Sequence, residues 1–186
     1  MNTVSNLFTL EKIKRYFNVL DKMDRGIPVG SVHKECQKTI FRFSSVYGSG
    51  MRLQDGEATI IAKLAGQIKE GISPKLFEDG RQMRDWVYVG DICKAIETVL
   101  RRQPKENSEE IINICSGEGT SLLDGCKHLS YAYGYFPTIK PEIVGGYRPG
   151  DMRHCVGDPS KLEFTLGVKP TLFKDGVKLA FGRDKD

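Results

Sequence analysis

No apolar run in the 186 residues approaches the roughly 20 that a membrane span needs. The first residues also lack the basic-then-apolar order of a secretory signal, so a cytoplasmic protein without membrane attachment is expected. The five cysteines (Cys36, Cys93, Cys115, Cys126, Cys155) are an odd number, and no two form a C-x-x-C pair. Structural zinc sites favour such close pairs, so the expectation is reduced thiols and no metal. Cys93 in a helical pattern and Cys115 at the end of a strand pattern read as small buried hydrophobes. His33, Lys34, Glu35 and Cys36 cluster, but no second histidine or cysteine stands at ligand spacing. There is no internal repeat, no low-complexity segment and little charge imbalance, since 28 basic against 24 acidic residues leave +4, well interspersed. The basic run Lys12–Arg15 reads as a solvated helix face, so no nucleic acid is expected as a partner.

What is present is the composition of an ordinary globular protein, 39% hydrophobic and 28% charged, long enough to bury a real core. Leu7, Leu10, Ile13, Phe17 and Leu20 recur at helical spacing and predict a helix over Thr9–Met23, broken by Gly26, Pro28 and Gly30. Thr39–Phe43 reads as a strand that enters the Ser/Gly-rich loop Ser44–Gly50. Such a loop can bring backbone amides to a ligand or simply make a turn. It does not match G-x-G-x-x-G, and no other stretch does. A helix is predicted over Ala58–Lys69, ended by Gly71, and another over Ile92–Leu100. A charged loop, Arg101–Glu110, leads to a strand over Ile111–Cys115. Ser121 and Asp124 then form a capping box for a helix that runs to about Tyr133 and stops at Gly134. A short strand within Ile139–Val144 follows, then a helix opened by Asp158-Pro159 and ended by Gly167, and a last helix over Leu172–Phe181. Helices alternating with three or four strands predict an α/β fold. A doubly wound sheet usually has more strands, so the chain reads as part of something larger.

The stretch Leu76–Asp91 organises the rest. It holds an Asp79-Gly80 turn, the cations Arg81 and Arg84, a β-branched and aromatic run Trp86–Val89, and Asp91 as the expected cap of the next helix. A guanidinium at the mouth of a buried strand is a natural phosphate ligand, because its fork matches two phosphate oxygens. The plainer reading of Arg84-Asp85 is a solvated surface pair. Arg81 reads as a surface charge. A second polar concentration spans Gly145–His154.

Four elements in order resemble one family. Phe41–Gly50 (FRFSSVYGSG) resembles the R-F/Y-x-N-V-Y-G-P-G element of the NAD-dependent epimerase/dehydratases, the extended short-chain dehydrogenases that act on nucleotide sugars. Phe77–Asp91 resembles their DGxQxRDFVYVxDV element, and Ile112–Leu123 their xNxGSGxxxSLxE element. Tyr147–His154 with Asp158–Lys161 resembles the RPGDxRHxxxDxSK ending, and Leu166–Gly176 the LGxxPxxxxxxG tail. Within the family the wording is most similar to UDP-glucose 4-epimerase-like and dTDP-rhamnose 4-epimerase-like members.

The resemblance implies that Arg84 and Arg148 contact the diphosphate of a UDP- or dTDP-linked sugar and that Asp151 hydrogen-bonds its ribose, with Asp85 orienting Arg84. Ser45 stands where the family usually has a substrate-touching Asn. Backbone near Phe43 and Ser44 would border the nicotinamide of NAD. Asp91, Ser121 and Asp158 match family positions too, but helix capping accounts for each. Two family features are missing from these 186 residues: the G-x-x-G-x-x-G loop, and a Tyr-x-x-x-Lys pair, since none of the seven tyrosines has a lysine four residues on. Ser31-Val32-His33 stands near the expected tyrosine, with His33 in its place. The expectation is therefore the C-terminal, substrate-binding portion of an extended Rossmann-type fold over residues 37–186, after a helical remnant or fused segment over residues 1–36. With no catalytic residue of its own it would be inactive alone. Alternatives are a nucleotide-sugar-binding module, acting as a homodimer or with a partner subunit, and a degenerate fragment.

Overall fold

The computed structural model describes residues 38–53, 59–102, 108–147 and 149–182. The expected helix over Thr9–Met23, the His33–Cys36 cluster and Arg148 lie outside the described residues. By its internal contacts the chain divides into two units, residues 1–39 with 103–110, and residues 40–102 with 111–186. In the first, the Lys38 N–H donates to the Ser108 carbonyl at 2.8 Å. Everything functional below belongs to the second.

The strands are β1 (Lys38–Phe43), β2 (Ser45–Tyr47), β3 (Lys75–Leu76), β4 (Met83–Tyr88), β5 (Glu109–Ile114), β6 (Gly119–Ser121), β7 (Glu142–Ile143) and β8 (His154–Cys155). The helices are α1 (Ile60–Lys69), α2 (Val89–Arg101), α3 (Leu122–Ala132), α4 (Ser160–Leu166) and α5 (Phe173–Phe181). The fold is α/β, as expected. β4 is the hub: β2 runs parallel to it with Ser45 opposite Trp86, β6 antiparallel with Arg84 opposite Thr120, and β8 parallel with Arg84 opposite Cys155. β1 pairs with β5, and β3 with β7.

Successive side chains of a strand point to opposite faces, and both faces of β4 are covered. Trp86 packs in a cluster with Tyr47, Leu64, Leu129 and Phe173, under α1, α3 and α5. Val87 packs in a second cluster with Ile92, Ile112, Leu162 and Leu166, under α2 and α4. The Trp86 and Phe173 rings lie 4.5 Å apart and Tyr47 meets Phe173 edge-on at 5.2 Å, each contact contributing about 0.5–1.5 kcal/mol beyond burial. α1 buries Ile61, Leu64, Ala65 and Ile68, the one-sided stripe its spacing predicts.

Most helix signals operate as read. Ser121 accepts the Asp124 N–H at 3.0 Å, and its hydroxyl donates to the Asp124 carboxylate. Asp158 accepts the Ser160 N–H at 2.9 Å, and α4 ends at Gly167 with φ 65°. Asp91 behaves differently from expectation. α2 begins at Val89, three residues earlier than the expected Ile92, and Asp91 does not cap it. Its fully buried carboxylate turns to the chain before α5, accepting the Thr171 N–H (2.7 Å) and hydroxyl (3.0 Å). Ser45–Tyr47, read as loop, is strand. Gly48 packs where a Cβ would fall 2.3 Å from Val89, so its small size serves that contact. Cys115 is buried as expected and Cys126 is buried too, whereas Cys93, also expected to be buried, is exposed. β3, β6 and β8 have two or three residues each, too few for a periodic signal. Among the described residues no helix is long and apolar enough to cross a membrane.

The turn before β4 is closed by a residue from the far end of the chain. The Arg153 guanidinium donates to Glu78 with one nitrogen and to Asp79 with the other, at 2.7 Å for Asp79. Glu78 sits at φ 52°, a region that costs a non-glycine residue on the order of 1 kcal/mol, and its N–H is held by the Gly146 carbonyl at 2.9 Å. The bond from Arg153, then the Arg81 N–H, hold the Asp79 carboxyl below its ordinary range.

Two outcomes follow. Gly125→Ala in α3 ought to gain about 1 kcal/mol of helix propensity, yet its Cβ would fall 2.4 Å from the Trp86 ring. Overpacking a rigid core costs about 1–3 kcal/mol, so the urea midpoint should fall; a rise would show that Trp86 yields. A carboxyl depressed in the folded state adds stability above the ordinary carboxylate range, and this is lost as pH falls through its folded value. A carbon-NMR titration of Asp79 should therefore show a midpoint below the ordinary 3.8 that returns toward it in Arg153→Gln, and an unchanged midpoint in the variant would break the link.

Candidate functional site

Arg84 is placed where β4 leaves that turn, between β6 and β8. Its side chain is only 12% exposed. Nη1 donates to the Met83 carbonyl at 2.9 Å and to the Arg153 carbonyl at 3.4 Å, while Nη2 donates to Asp151 Oδ1 at 2.6 Å. The planar fork is thus held by main chain on one side and by a carboxylate on the other. Two residues the resemblance singled out, 67 positions apart, are in contact. Asp151 is 43% exposed, so water screens the pair and its net worth is about 0–1 kcal/mol. The segment that carries Asp151 is tied to β4 again by the Met83 N–H, which donates to the Arg153 carbonyl at 2.8 Å.

Asp85 is neither a surface partner of Arg84 nor its orienting group, which corrects both expectations. The reason is the two-residue period of the strand: Asp85 projects to the face opposite Arg84 and is 2% exposed. Its Oδ1 accepts the Ser116 N–H (2.7 Å) and hydroxyl (2.8 Å), and its Oδ2 accepts the N–H groups of Gly117 (3.0 Å) and Gly157 (3.1 Å). Four donors occupy the full capacity of a carboxylate. Beside it, burial first and the Asp85 charge next push the Cys115 thiol up to about 11, so it stays protonated at neutral pH. Cys115 is a packing group there.

The other expected residues sit on adjoining strands. Ser45 lies on β2 opposite Trp86, one residue beyond Asp85 along β4. Phe43, at the end of β1, is 51% exposed. The Ser44 N–H is engaged by the Ile114 carbonyl at 3.0 Å, so the expected cofactor border offers a ring and little free backbone donor capacity. No group of three or more His, Cys, Asp or Glu side chains suited to a metal occurs among the described residues. Arg81 is exposed, in keeping with its plain reading.

Three residues escaped sequence reasoning. Glu118 accepts the Phe173 N–H at 3.0 Å, which ties the β5–β6 loop to the start of α5. The bonds of Arg153 to Glu78 and Asp79 span about 75 positions and carry no local signature. The burial of Asp85 had a signal, since it shares a strand face with Val87.

The family model described as NAD dependent epimerase/dehydratase family matches residues 31–115. A dTDP-L-rhamnose 4-epimerase of Burkholderia thailandensis is 35% identical over 132 residues, which are 71% of this chain and 35% of that protein. The UDP-glucose 4-epimerase of Thermotoga maritima, solved with UDP-glucose, aligns with a TM-score of 0.66 at 27% identity, over 91% of this chain and 51% of that one. The Thermus thermophilus UDP-glucose 4-epimerase in complex with NAD aligns at 0.62 and 26%, over 89% and 49%. The chain thus spans about a third of the curated relative and about half of each solved chain. In the stretch it shares with them, it belongs to the NAD-dependent epimerase/dehydratase family.

Proposed function

We propose that this chain holds the nucleotide-sugar side of an NAD-dependent epimerase or dehydratase, a cytoplasmic enzyme of carbohydrate metabolism whose substrate is a UDP- or dTDP-linked sugar. The observation that carries the reading is the convergence of Arg84 and Asp151, 2.6 Å apart, at the mouth of β4. In this reading Arg84 and Arg148 bind the diphosphate, Asp151 binds the ribose, and Ser45 faces the sugar. Charge supports the division of labour. Among the described residues Arg84 faces Asp151, and Arg153 faces Glu78 and Asp79, so both guanidinium groups already have counter-charges, and this reading gives the further positive charge a diphosphate needs to Arg148. A diphosphate of about −2 competes well for a fork held otherwise by one half-exposed carboxylate.

The chemistry NAD supplies in such an enzyme is reversible hydride removal from a sugar carbon. Phe43 and Ser44 would border its nicotinamide, whereas its pyrophosphate has no glycine-rich loop in this sequence. The reading for this chain is therefore substrate binding, with the cofactor side coming from another segment or a partner subunit. The four described cysteines are free, the state that a reducing cytoplasm maintains.

Titration calorimetry with UDP-glucose and a dTDP-sugar tests it. Micromolar binding of at least one is expected, weakening as salt rises. Arg84→Ala and Arg148→Ala should each lose a charge-assisted contact and weaken binding about 10- to 100-fold. Absence of heat with both ligands at millimolar concentration, or wild-type affinity in both variants, overturns the assignment.

A further inference from the structure

We infer that Asp85 is a positioning residue, whose buried carboxylate holds the segment carrying Asp151 in register with Arg84 from the opposite face of β4. As a nucleotide-sugar contact this rests on the function proposed above; as a statement about the Arg84–Asp151 pair it stands on geometry alone. The segment meets β4 in few places. β8 is two residues long, and beyond it the Met83 N–H and Arg84 Nη1 reach the Arg153 carbonyl. On the carboxyl-terminal side, the bond from the Gly157 N–H to Asp85 Oδ2 is what ties the chain back to β4. The same carboxylate gathers Ser116 and Gly117 from the β5–β6 loop, so one buried charge fixes two loops, 31 to 72 positions away, against the strand.

The loops are shaped to reach it. A Cβ on Gly157 would fall 2.7 Å from Cys115 Sγ, and one on Gly117 would fall 2.8 Å from Pro159. Any larger residue at position 157 would push its amide off the carboxylate. The neighbouring pair differs in kind: Asp151 is half-exposed, so water screens its contact with Arg84 and the pair cannot set its own spacing. Their placement is imposed by the anchored main chain.

Two variants release the anchor differently. Asp85→Asn keeps one acceptor oxygen but turns an NH2 toward amide donors. Gly157→Ala leaves Asp85 intact and displaces the loop. Ser116→Ala, which removes the hydroxyl donor to Asp85 and the acceptor of the Glu118 N–H but leaves the amides of Ser116, Gly117 and Gly157 on the carboxylate, serves as the control. In the ligand-free chain, nitrogen NMR of the Arg84 guanidinium should lose the signature of its bond to Asp151 in both release variants and keep it in the control. UDP-glucose affinity should fall roughly 10- to 100-fold in both. In an Asp151→Ala background the further loss from Asp85→Asn should be small, whereas a merely structural role would add its effect in full. If wild type fails to bind UDP-glucose or a dTDP-sugar, the nucleotide-sugar reading fails while the guanidinium signal still decides the positioning role. Folded release variants with an unchanged Arg84 signal overturn the inference. So does failure of both to fold, which would assign Asp85 to stability alone.

Discussion

The two-residue period of β4 is the constraint on which the rest depends. One strand of six residues carries a guanidinium, a carboxylate, an indole and an isopropyl group in succession, and alternation sends them to different surroundings. Trp86 anchors one hydrophobic cluster and Val87 the other. Because both faces are buried beyond Asp85, the strand cannot slip by one residue without placing Trp86 and Val87 in each other's clusters. Arg84 is thereby held at the rim, and Asp85 is committed to the interior.

Where information is local, the sequence was legible. The helices ended near where capping residues and glycines put them, since a cap acts within a turn of itself. The strand run Trp86–Tyr88 and the turn at Asp79-Gly80 were equally local. The illegible parts are those in which a polar side chain chooses a distant partner. Asp91 has the composition of a helix cap, but a buried carboxylate gains more from the amide and hydroxyl of Thr171, 80 positions on, than from a helix start it has already passed. Asp85 looked like the neighbour of Arg84 because adjacency in sequence was read as adjacency in space, which a strand forbids. For the candidate site, Arg84 and Asp151 were named as residues. Their contact, and the clamp from Arg153, came only from the fold.

The site combines two electrostatic regimes within a few ångströms. The pair on the exposed side is screened and readily exchanged, so a stronger anion can take over the Arg84 fork at small cost. The carboxylate on the buried side is saturated by four donors, and removing it would leave buried amides unpaired at about 1–3 kcal/mol each. Adaptable contacts face the proposed ligand, and fixed ones face the core.

This arrangement also explains how strands of two or three residues can carry a binding site. A pairing as short as β8 with β4 contributes few main-chain bonds and would fray if it stood alone. It persists because both of its ends are tied: Asp85 holds Gly157 after it, and the bonds of Arg153 to the Glu78-Asp79 turn hold the chain before it. The first tie is made by a buried carboxylate within β4, the second by a guanidinium at the exposed turn before it. The interior tie resists both salt and water, while the one at the turn is exposed and weakens when salt rises or Asp79 is protonated. Loosening of the segment should therefore begin at its Arg153 end, the end nearest Asp151, and proceed toward Gly157.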